Sequence, residues 1–148
     1  MGIFEDLSKA FNTINHDILL QKLNAYGIRG MPNLLIKNYL KNRKQFVEYR
    51  GCQSNMNVVS CGVPQGSILG PLLFLLYIND VSETSKLLYF ILFADDTNIL
   101  YSNRDIWQLM EIVNGELIIL SDWFKANKLS LNIKKLILCF RLQKYSTE

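Results

Sequence analysis

The stretch that decides the fold is LLYFILFADDTNILY, residues 87–101. An apolar run rich in aromatic residues, Leu87 to Ala94, is interrupted by Asp95-Asp96-Thr97-Asn98 and resumes at Ile99. Short apolar runs of this composition favour strands, and Asp and Asn favour the bend between two strands. The stretch therefore predicts a β-hairpin with two aspartates at its bend.

The sequence on either side of this hairpin predicts helices and further strands. A strand at residues 2–4 ends in acidic residues, and helical periodicity covers residues 14–26, 32–40 and 106–124, with a buried helix that ends near residue 78. Short strands are predicted at residues 45–50, 56–61, 129–133 and 136–140. Because helices and strands do not alternate strictly, we expect an α+β fold, an antiparallel sheet with helices packed on one face.

Length and composition limit the possible functions without deciding among them. The 148 residues fit one domain, 49% of them are hydrophobic, and the net charge of +3 permits polyanion binding without requiring it. No zinc site is expected, because the three cysteines form no CxxC pair and the one histidine, His16, is more often structural. An odd number of cysteines and no apolar run long enough to cross a bilayer indicate an intracellular protein without a membrane partner.

The two adjacent aspartates in the most apolar hairpin have two interpretations. Asp is common in ordinary turns, because its side chain bonds the nearby backbone. The alternative is a metal site, since two nearby carboxylates repel and a cation is the usual compensation. Asp6, at the end of the first strand, can supply a third carboxylate if that strand lies beside the hairpin, and hard cations such as Mg²⁺ prefer such oxygen ligands. The residues alone leave both interpretations open.

Four segments, in order along the chain, resemble the reverse transcriptase domain of LINE-type (non-LTR) retrotransposons. They are Asp6-Leu7-Ser8-Lys9-Ala10-Phe11, the block Ser60–Pro71, the hairpin Phe93-Ala94-Asp95-Asp96-Thr97 and the segment Trp123–Asn132. The resemblance extends from about residue 3 to residue 140. It implies a polymerase palm in a single domain, residues 1–148, that is truncated at both ends, with the fingers and thumb segments of the parent polyprotein largely missing.

The resemblance also implies a reaction, in which a nucleotide is transferred from a dNTP to the 3′-hydroxyl of a DNA primer paired with an RNA template. Asp6, Asp95 and Asp96 match the catalytic aspartates of the family, so we expect them to hold two Mg²⁺ ions, for which Mn²⁺ can substitute. Lys135 lies near the position of a family lysine that protonates pyrophosphate. Because Lys134 is its neighbour, the sequence does not decide which of the two occupies that position, and an ordinary solvated lysine pair is the alternative interpretation.

The same motifs imply substrate-binding residues. Phe11 matches a bulky aromatic that lies against the sugar of the incoming nucleotide and excludes a 2′-hydroxyl. Gly62, Pro64, Gln65 and Gly66 match a loop that contacts the incoming nucleotide and the template base. Glycine allows close backbone approach there, and a helix N-terminus favours phosphate. Without the resemblance, Phe11 would be interpreted as a core residue and the loop as a simple helix start.

The sequence departs from the family pattern at three positions. Glu5 stands where the family has an apolar strand residue, Asn12 where an aspartate is usual, and Leu136 where a threonine is common. Because strand side chains alternate, we expect Glu5 on the face opposite Asp6, towards the packed side of the sheet. None of the three departures removes an expected metal ligand.

Two other functions compete with reverse transcription. A non-catalytic remnant, or a co-opted module that binds nucleic acid or protein, could keep the palm fold, and the missing fingers segment leaves this hypothesis open. A viral RNA-dependent RNA polymerase could share the palm, but the FADD hairpin, Phe11 and the block Ser60–Pro71 favour the LINE-type family.

Overall fold

The computed structural model describes residues 2–6, 10–93, 96–130 and 137–139, and of residues 2–6, 10 and 137–139 it describes the backbone. The chain divides into two compact units, residues 9–79 and residues 1–8 with 80–148. Its helices and antiparallel strands confirm the predicted α+β class. The prediction that residues 1–148 form a single domain stays a prediction.

Helices and short strands follow one another along the chain without strict alternation. In chain order they are β1 (Gly2–Asp6), α1 (Ala10–Thr13), α2 (His16–Ala25), α3 (Met31–Leu40), β2 (Lys44–Gln45), β3 (Glu48–Tyr49), β4 (Cys52–Gln53), β5 (Asn57–Val58), α4 (Leu69–Ile78), a 3₁₀ helix (Asn79–Thr84), β6 (Tyr89–Phe93), β7 (Asp96–Leu100), α5 (Ile106–Ala126) and β8 (Ile137–Cys139).

In the unit of residues 9–79, helix α2 begins at a capping residue and ends before a glycine. The Asn15 side chain accepts a hydrogen bond from the Ile18 amide at 3.1 Å, which satisfies one of the amides that the first turn leaves without a helical partner. Leu19 and Leu23, one turn apart, are fully buried, and α2 packs on both α3 and α4. Gly27 ends the helix with a φ of 91°, a value that residues other than glycine rarely adopt.

Helix α4 supplies much of the core of the same unit. Its buried residues are Gly70, Leu73, Phe74, Tyr77 and Ile78. Burying a leucine or phenylalanine side chain in this way contributes about 1.5–3 kcal/mol relative to leaving it exposed. The predicted helix that ends near residue 78 is confirmed, but it is buried on one face only, since Leu69, Leu72 and Leu75 are exposed.

The arm between α3 and α4 differs from its prediction. Two strands at residues 45–50 and 56–61 were expected, but the arm is two short ladders, β2 with β5 and β3 with β4. The turn is only two residues long, because Arg50 and Gly51 both have positive φ, at 49° and 80°, as a type I′ hairpin turn requires. The ladders differ in register by one residue, which is the effect of a β-bulge.

In the second unit, four antiparallel strands form one sheet in the order β6-β7-β1-β8. Strand β7 alternates between the two faces of this sheet. Thr97 and Ile99 are 2% and 1% exposed, whereas Asp96 and Leu100 are exposed. One face of the sheet is thus packed, and the other carries Asp96.

Helix α5 follows the sheet and begins at Asp105, whose side chain accepts a hydrogen bond from the Trp107 amide at 2.8 Å. Of the predicted apolar stripe, Leu109, Val113, Leu120 and Phe124 are buried. Ile106 and Met110, near the start of the stripe, are partly exposed. In the part of the chain that the structure describes, no helix is long and apolar enough to cross a membrane.

Candidate active site

Strand pairing brings Asp6 and Asp96 together. Asp6 ends β1, Asp96 begins β7, and the two are direct partners in the antiparallel register. The Cα atoms of such partners are about 4.5–5.5 Å apart, and the two residues share one face of the sheet. The condition set by the sequence, that the first strand lies beside the hairpin, is met. We call this pair of residues the acidic row.

The acidic row lies on the exposed face of the sheet. Asp96 is exposed, and its partner on the other side, Phe93, is 75% exposed. Glu5, the neighbour of Asp6, instead pairs with the buried Thr97. By register, Glu5 therefore belongs to the packed face, as the alternation of strand residues predicts.

Three of the predicted site positions lie outside the described residues. Asp95 belongs to the two-residue connection between β6 and β7, and Lys134 and Lys135 precede β8. Among the residues that the structure describes, no three His, Cys, Asp or Glu side chains form a group that could hold a metal ion. The cluster of three aspartates, and the role of Lys135, stay predictions.

In the unit of residues 9–79, backbone hydrogen bonds join the Gly62–Gly66 loop to the segment around Phe11. The Gly62 amide donates to the Ile14 carbonyl and the Val63 amide to the Phe11 carbonyl, both at 2.8 Å. Gly62 has a φ of 80°, and a Cβ atom at this position would lie 2.8 Å from the Asn12 Cα. Only glycine permits this approach, so the two family motifs are in direct backbone contact.

The far end of the loop is held by Ser67, which was not among the predicted site residues. Its hydroxyl donates to the Pro64 carbonyl at 2.7 Å and accepts from the Gly70 amide, in the first turn of α4, at 3.0 Å. Ser67 thus links the loop to the start of α4. Gly66, between Pro64 and Ser67, is exposed and has a φ of 79°.

Two side chains of the predicted substrate site are exposed or half-buried. Gln65 is exposed, and its Nε2 donates to Asn12 Oδ1 at 3.3 Å. Phe11 is half-buried, and its ring lies 4.9 Å from the Phe74 ring between centroids, with the planes tilted by 41°. Phe11 therefore packs on α4 while part of it stays accessible, which is compatible with either a core or a substrate contact.

His16, the first residue of α2, supports the Gly62–Gly66 loop. It is 6% exposed, and its Nε2–H donates to the Gly62 carbonyl at 2.7 Å. This contact is consistent with the prediction that His16 is structural. The sequence did not indicate that the Gly62 carbonyl is its hydrogen-bond partner. The two residues are 46 positions apart, so no local periodicity could have connected them.

Comparison with known proteins identifies the family. Residues 1–146 match the family "Reverse transcriptase (RNA-dependent DNA polymerase)". The chain is 31% identical to the probable RNA-directed DNA polymerase from transposon BS of Drosophila melanogaster, and 28% identical to the RNA-directed DNA polymerase from mobile element jockey of the same species. These matches cover 98% and 91% of this chain. The chain spans only 17% and 15% of the two relatives.

Solved structures share the fold. The chain is similar to an apo telomerase from Candida tropicalis truncated from the C-terminal domain, with a TM-score of 0.69, 15% identity, and coverage of 92% of this chain and 30% of that one. A telomerase from Candida albicans in complex with a fragment of telomeric RNA gives a TM-score of 0.63 at 12% identity, with 99% and 28% coverage. Together with the family match, these likenesses confirm the resemblance drawn from the motifs: the chain belongs to the reverse transcriptase family, of the type that non-LTR retrotransposons carry.

Proposed function

We propose that this chain supplies the catalytic palm of an RNA-directed DNA polymerase, with an RNA template, a DNA primer and dNTPs as its partners. The observation that carries the proposal is the acidic row, in which two aspartates from segments about ninety residues apart are direct strand partners on an exposed face. Two like charges placed side by side are costly unless a cation compensates them. An ordinary hairpin turn would need no aspartate on the neighbouring strand.

The donor set of the acidic row fits magnesium. Asp6 and Asp96 provide carboxylate oxygens, which hard cations prefer, and the exposed face leaves room for the waters that Mg²⁺ retains. Asp95, beside Asp96 in sequence, would complete the set. Two bound Mg²⁺ ions would activate the primer 3′-hydroxyl and neutralise the leaving pyrophosphate. The work of the protein residues is to hold the reactants and charges in position.

Metal binding can be tested on the isolated chain. Asp6→Asn and Asp96→Asn are each expected to weaken Mn²⁺ binding, measured by water proton relaxation. Asp122→Asn is the matched control, because Asp122 is an exposed carboxylate of α5 that pairs with Lys125. If all three variants bind Mn²⁺ as the unaltered chain does, the acidic row is not the metal site.

The role proposed for Phe11 is to exclude ribonucleotides. The Phe11 ring packs against the Phe74 ring, and this contact would hold it beside the sugar of the incoming nucleotide. In a polymerase that carries this chain, Phe11→Val should raise the use of rNTPs relative to dNTPs, whereas Phe11→Tyr, which keeps the bulk, should not. An unchanged ratio of kcat/KM values in Phe11→Val would assign Phe11 to the core.

The polymerase activity itself needs a longer protein for its test. Positioning of the reactants can contribute about 7–11 kcal/mol, and the chain spans a small part of its relatives. We therefore expect no primer extension from the isolated chain. We expect extension when the chain replaces the matching segment of the transposon BS polymerase.

The control is the same replacement with Asp95→Asn and Asp96→Asn, which should abolish extension on an RNA template with Mg²⁺ and dNTPs. Extension by the grafted protein but not by this control supports the proposal. If the grafted protein folds but does not extend the primer, the result would favour the second candidate, a non-catalytic remnant that keeps the palm fold.

A further inference from the structure

Helix α5 carries a stripe of exposed side chains on the face opposite its packed side. Because an α-helix has about 3.6 residues per turn, residues three, four and seven positions apart share one face. The residues at this spacing are all exposed, and we call them the outer stripe: Glu111, Asn114, Ile118, Asp122 and Lys125. The buried residues of α5 project from the other side: Leu109, Val113, Leu120 and Phe124. The core of this unit therefore leaves the outer stripe uncovered.

The middle of the outer stripe is shaped to receive another helix. Ile118 is 65% exposed and lines a depression of about 470 Å³ on this face of α5. Gly115, beside it, stands in a helix interior, where alanine is the more stable residue. No atom lies within 4 Å of the place that a Cβ atom of Gly115 would take, so packing among the described residues does not require glycine there. A glycine at such a surface lets a second backbone approach closely.

The charges of the outer stripe complement the same stripe running in the opposite direction. Glu111 and Lys125 each lie seven residues from Ile118. If two copies of α5 cross antiparallel with Ile118 on the two-fold axis, Glu111 of each copy faces Lys125 of the other. Asn114 then faces Asp122, to which its amide can donate, since both lie four residues from Ile118. In a parallel pair each charged residue would instead face its own copy, and like charges would meet.

We propose that the outer stripe is the surface through which two copies of this chain associate, with their α5 helices antiparallel and Ile118 at the two-fold axis. Lys125 contacts Asp122 of its own helix at 3.0 Å, but its side chain is 74% exposed and can reach a second carboxylate. Because the surface is small and mostly polar, the dimer forms reversibly. Its ion pairs are exposed, so the dimer weakens as salt is added. This inference concerns assembly and does not depend on the polymerase activity.

Reversal of single charges tests the antiparallel register. The unaltered chain should show a monomer–dimer equilibrium by analytical ultracentrifugation. Glu111→Lys and Lys125→Glu should each weaken the dimer about tenfold, because two attractive pairs become two repulsive ones. An equimolar mixture of these two variants should associate about as strongly as the unaltered chain, since the mixed dimer regains both attractive pairs. A variant that merely unfolds could not be rescued in this way.

The matched controls are Glu83→Lys and Lys86→Glu, which change the net charge by the same amounts. Both residues are exposed and lie outside α5, so neither variant should change the dimer. If the controls weaken association as much as the reversals in α5 do, the effect is one of general charge, and the proposal is overturned.

A cysteine at the axis tests where the two helices cross. Ile118→Cys should give a disulfide-linked dimer under mild oxidation, with position 118 joined to position 118 in the linked peptides found by mass spectrometry. Asn114→Cys is the control, because eight positions at about 1.5 Å each separate it from its own copy along the helices by about 12 Å. This separation is too long for a disulfide. Equal cross-linking of the two variants refutes the position of the axis.

Two further outcomes overturn the proposal. If the unaltered chain stays monomeric at every concentration at which it is soluble, the outer stripe is a solvated face or is covered by a different protein. If the mixture of Glu111→Lys and Lys125→Glu associates no more strongly than each variant alone, the copies do not meet in the antiparallel register. Neither outcome bears on primer extension by the grafted polymerase, so the dimer and the proposed function can fail separately.

Discussion

Gly62→Ala is expected to destabilise the unit of residues 9–79 for two separate reasons. The φ of 80° at Gly62 is one that alanine adopts at a cost of about 1–2 kcal/mol. The added Cβ atom would also lie 2.8 Å from the Asn12 Cα and from the Phe11 carbonyl oxygen. Because these are backbone atoms, they cannot rotate away, and such overpacking costs about 1–3 kcal/mol. The expected loss in the free energy of unfolding is thus about 2–5 kcal/mol.

Two other glycines separate the contributions. Gly66 has nearly the same φ, 79°, but no atom lies within 4 Å of its would-be Cβ, so Gly66→Ala should cost only about 1–2 kcal/mol. Gly70, in α4, has no positive φ, but its Cβ would lie 2.6 Å from the Pro64 carbonyl oxygen. Gly70→Ala therefore adds the steric cost of about 1–3 kcal/mol without a cost in φ, less the roughly 0.5–1 kcal/mol by which a helix favours alanine over glycine.

The measurement is urea denaturation of the three alanine variants and the unaltered chain, monitored by far-UV circular dichroism. The four curves are fitted with one common m value, the slope of the free energy of unfolding against urea concentration. The loss of stability in Gly62→Ala should exceed that in Gly66→Ala by at least the net loss measured for Gly70→Ala. A Gly62→Ala variant no less stable than Gly66→Ala would refute the close approach of the loop to Asn12. In that case the contact between the two family motifs would have to be abandoned.

Three further outcomes are expected. His16→Leu leaves the buried Gly62 carbonyl without its hydrogen-bond donor, so it should lower the free energy of unfolding by about 1–3 kcal/mol. It should also speed hydrogen exchange of the Gly62 amide. His16→Gln, which keeps a donor, should restore part of the lost stability. Asp105→Ala removes the N-terminal cap of α5 and should lower the free energy of unfolding by about 1 kcal/mol in the same denaturation assay. Its control is Asp122→Ala, which loses only an exposed ion pair and should lower it by no more than about 0.5 kcal/mol. If residues 1–148 form one domain, tryptophan fluorescence, which reports on α5 alone, should give the same unfolding midpoint as circular dichroism, and two midpoints would show separate domains.

Local signals in the sequence predicted most of the helices and the hairpin. The stop at Gly27 and the stripe of α5 follow from backbone freedom and periodicity, which a short window of sequence contains. The hairpin bend was expected to include Thr97 and Asn98, but both belong to β7. Thr97 is a residue type that favours strands, whereas Asn98 is a type depleted from them. Strand β7 lies between β6 and β1, so pairing on both sides holds Asn98 in the strand.

The candidate site could be predicted only where a motif already joined distant residues. The resemblance placed Asp6 beside the hairpin, and the register shows that pairing for Asp96. The His16–Gly62 hydrogen bond depends on chain segments that meet only in the fold. A lone histidine has no periodic pattern that reveals its partner, so such a contact cannot be predicted from the sequence.

The departures from the family pattern differ in what they cost. Asn12 keeps an oxygen that accepts from Gln65, as an aspartate in its place could, so this replacement removes a charge but preserves the link to the loop. Glu5 differs from Asn12, because its partner in the strand register is the buried Thr97, and this pair belongs to the packed face of the sheet. A carboxylate directed to such a face is costly unless it is paired or protonated. If the grafted polymerase folds poorly, Glu5 is therefore the residue to revert first, and Asn12 the residue whose reversion should change stability least.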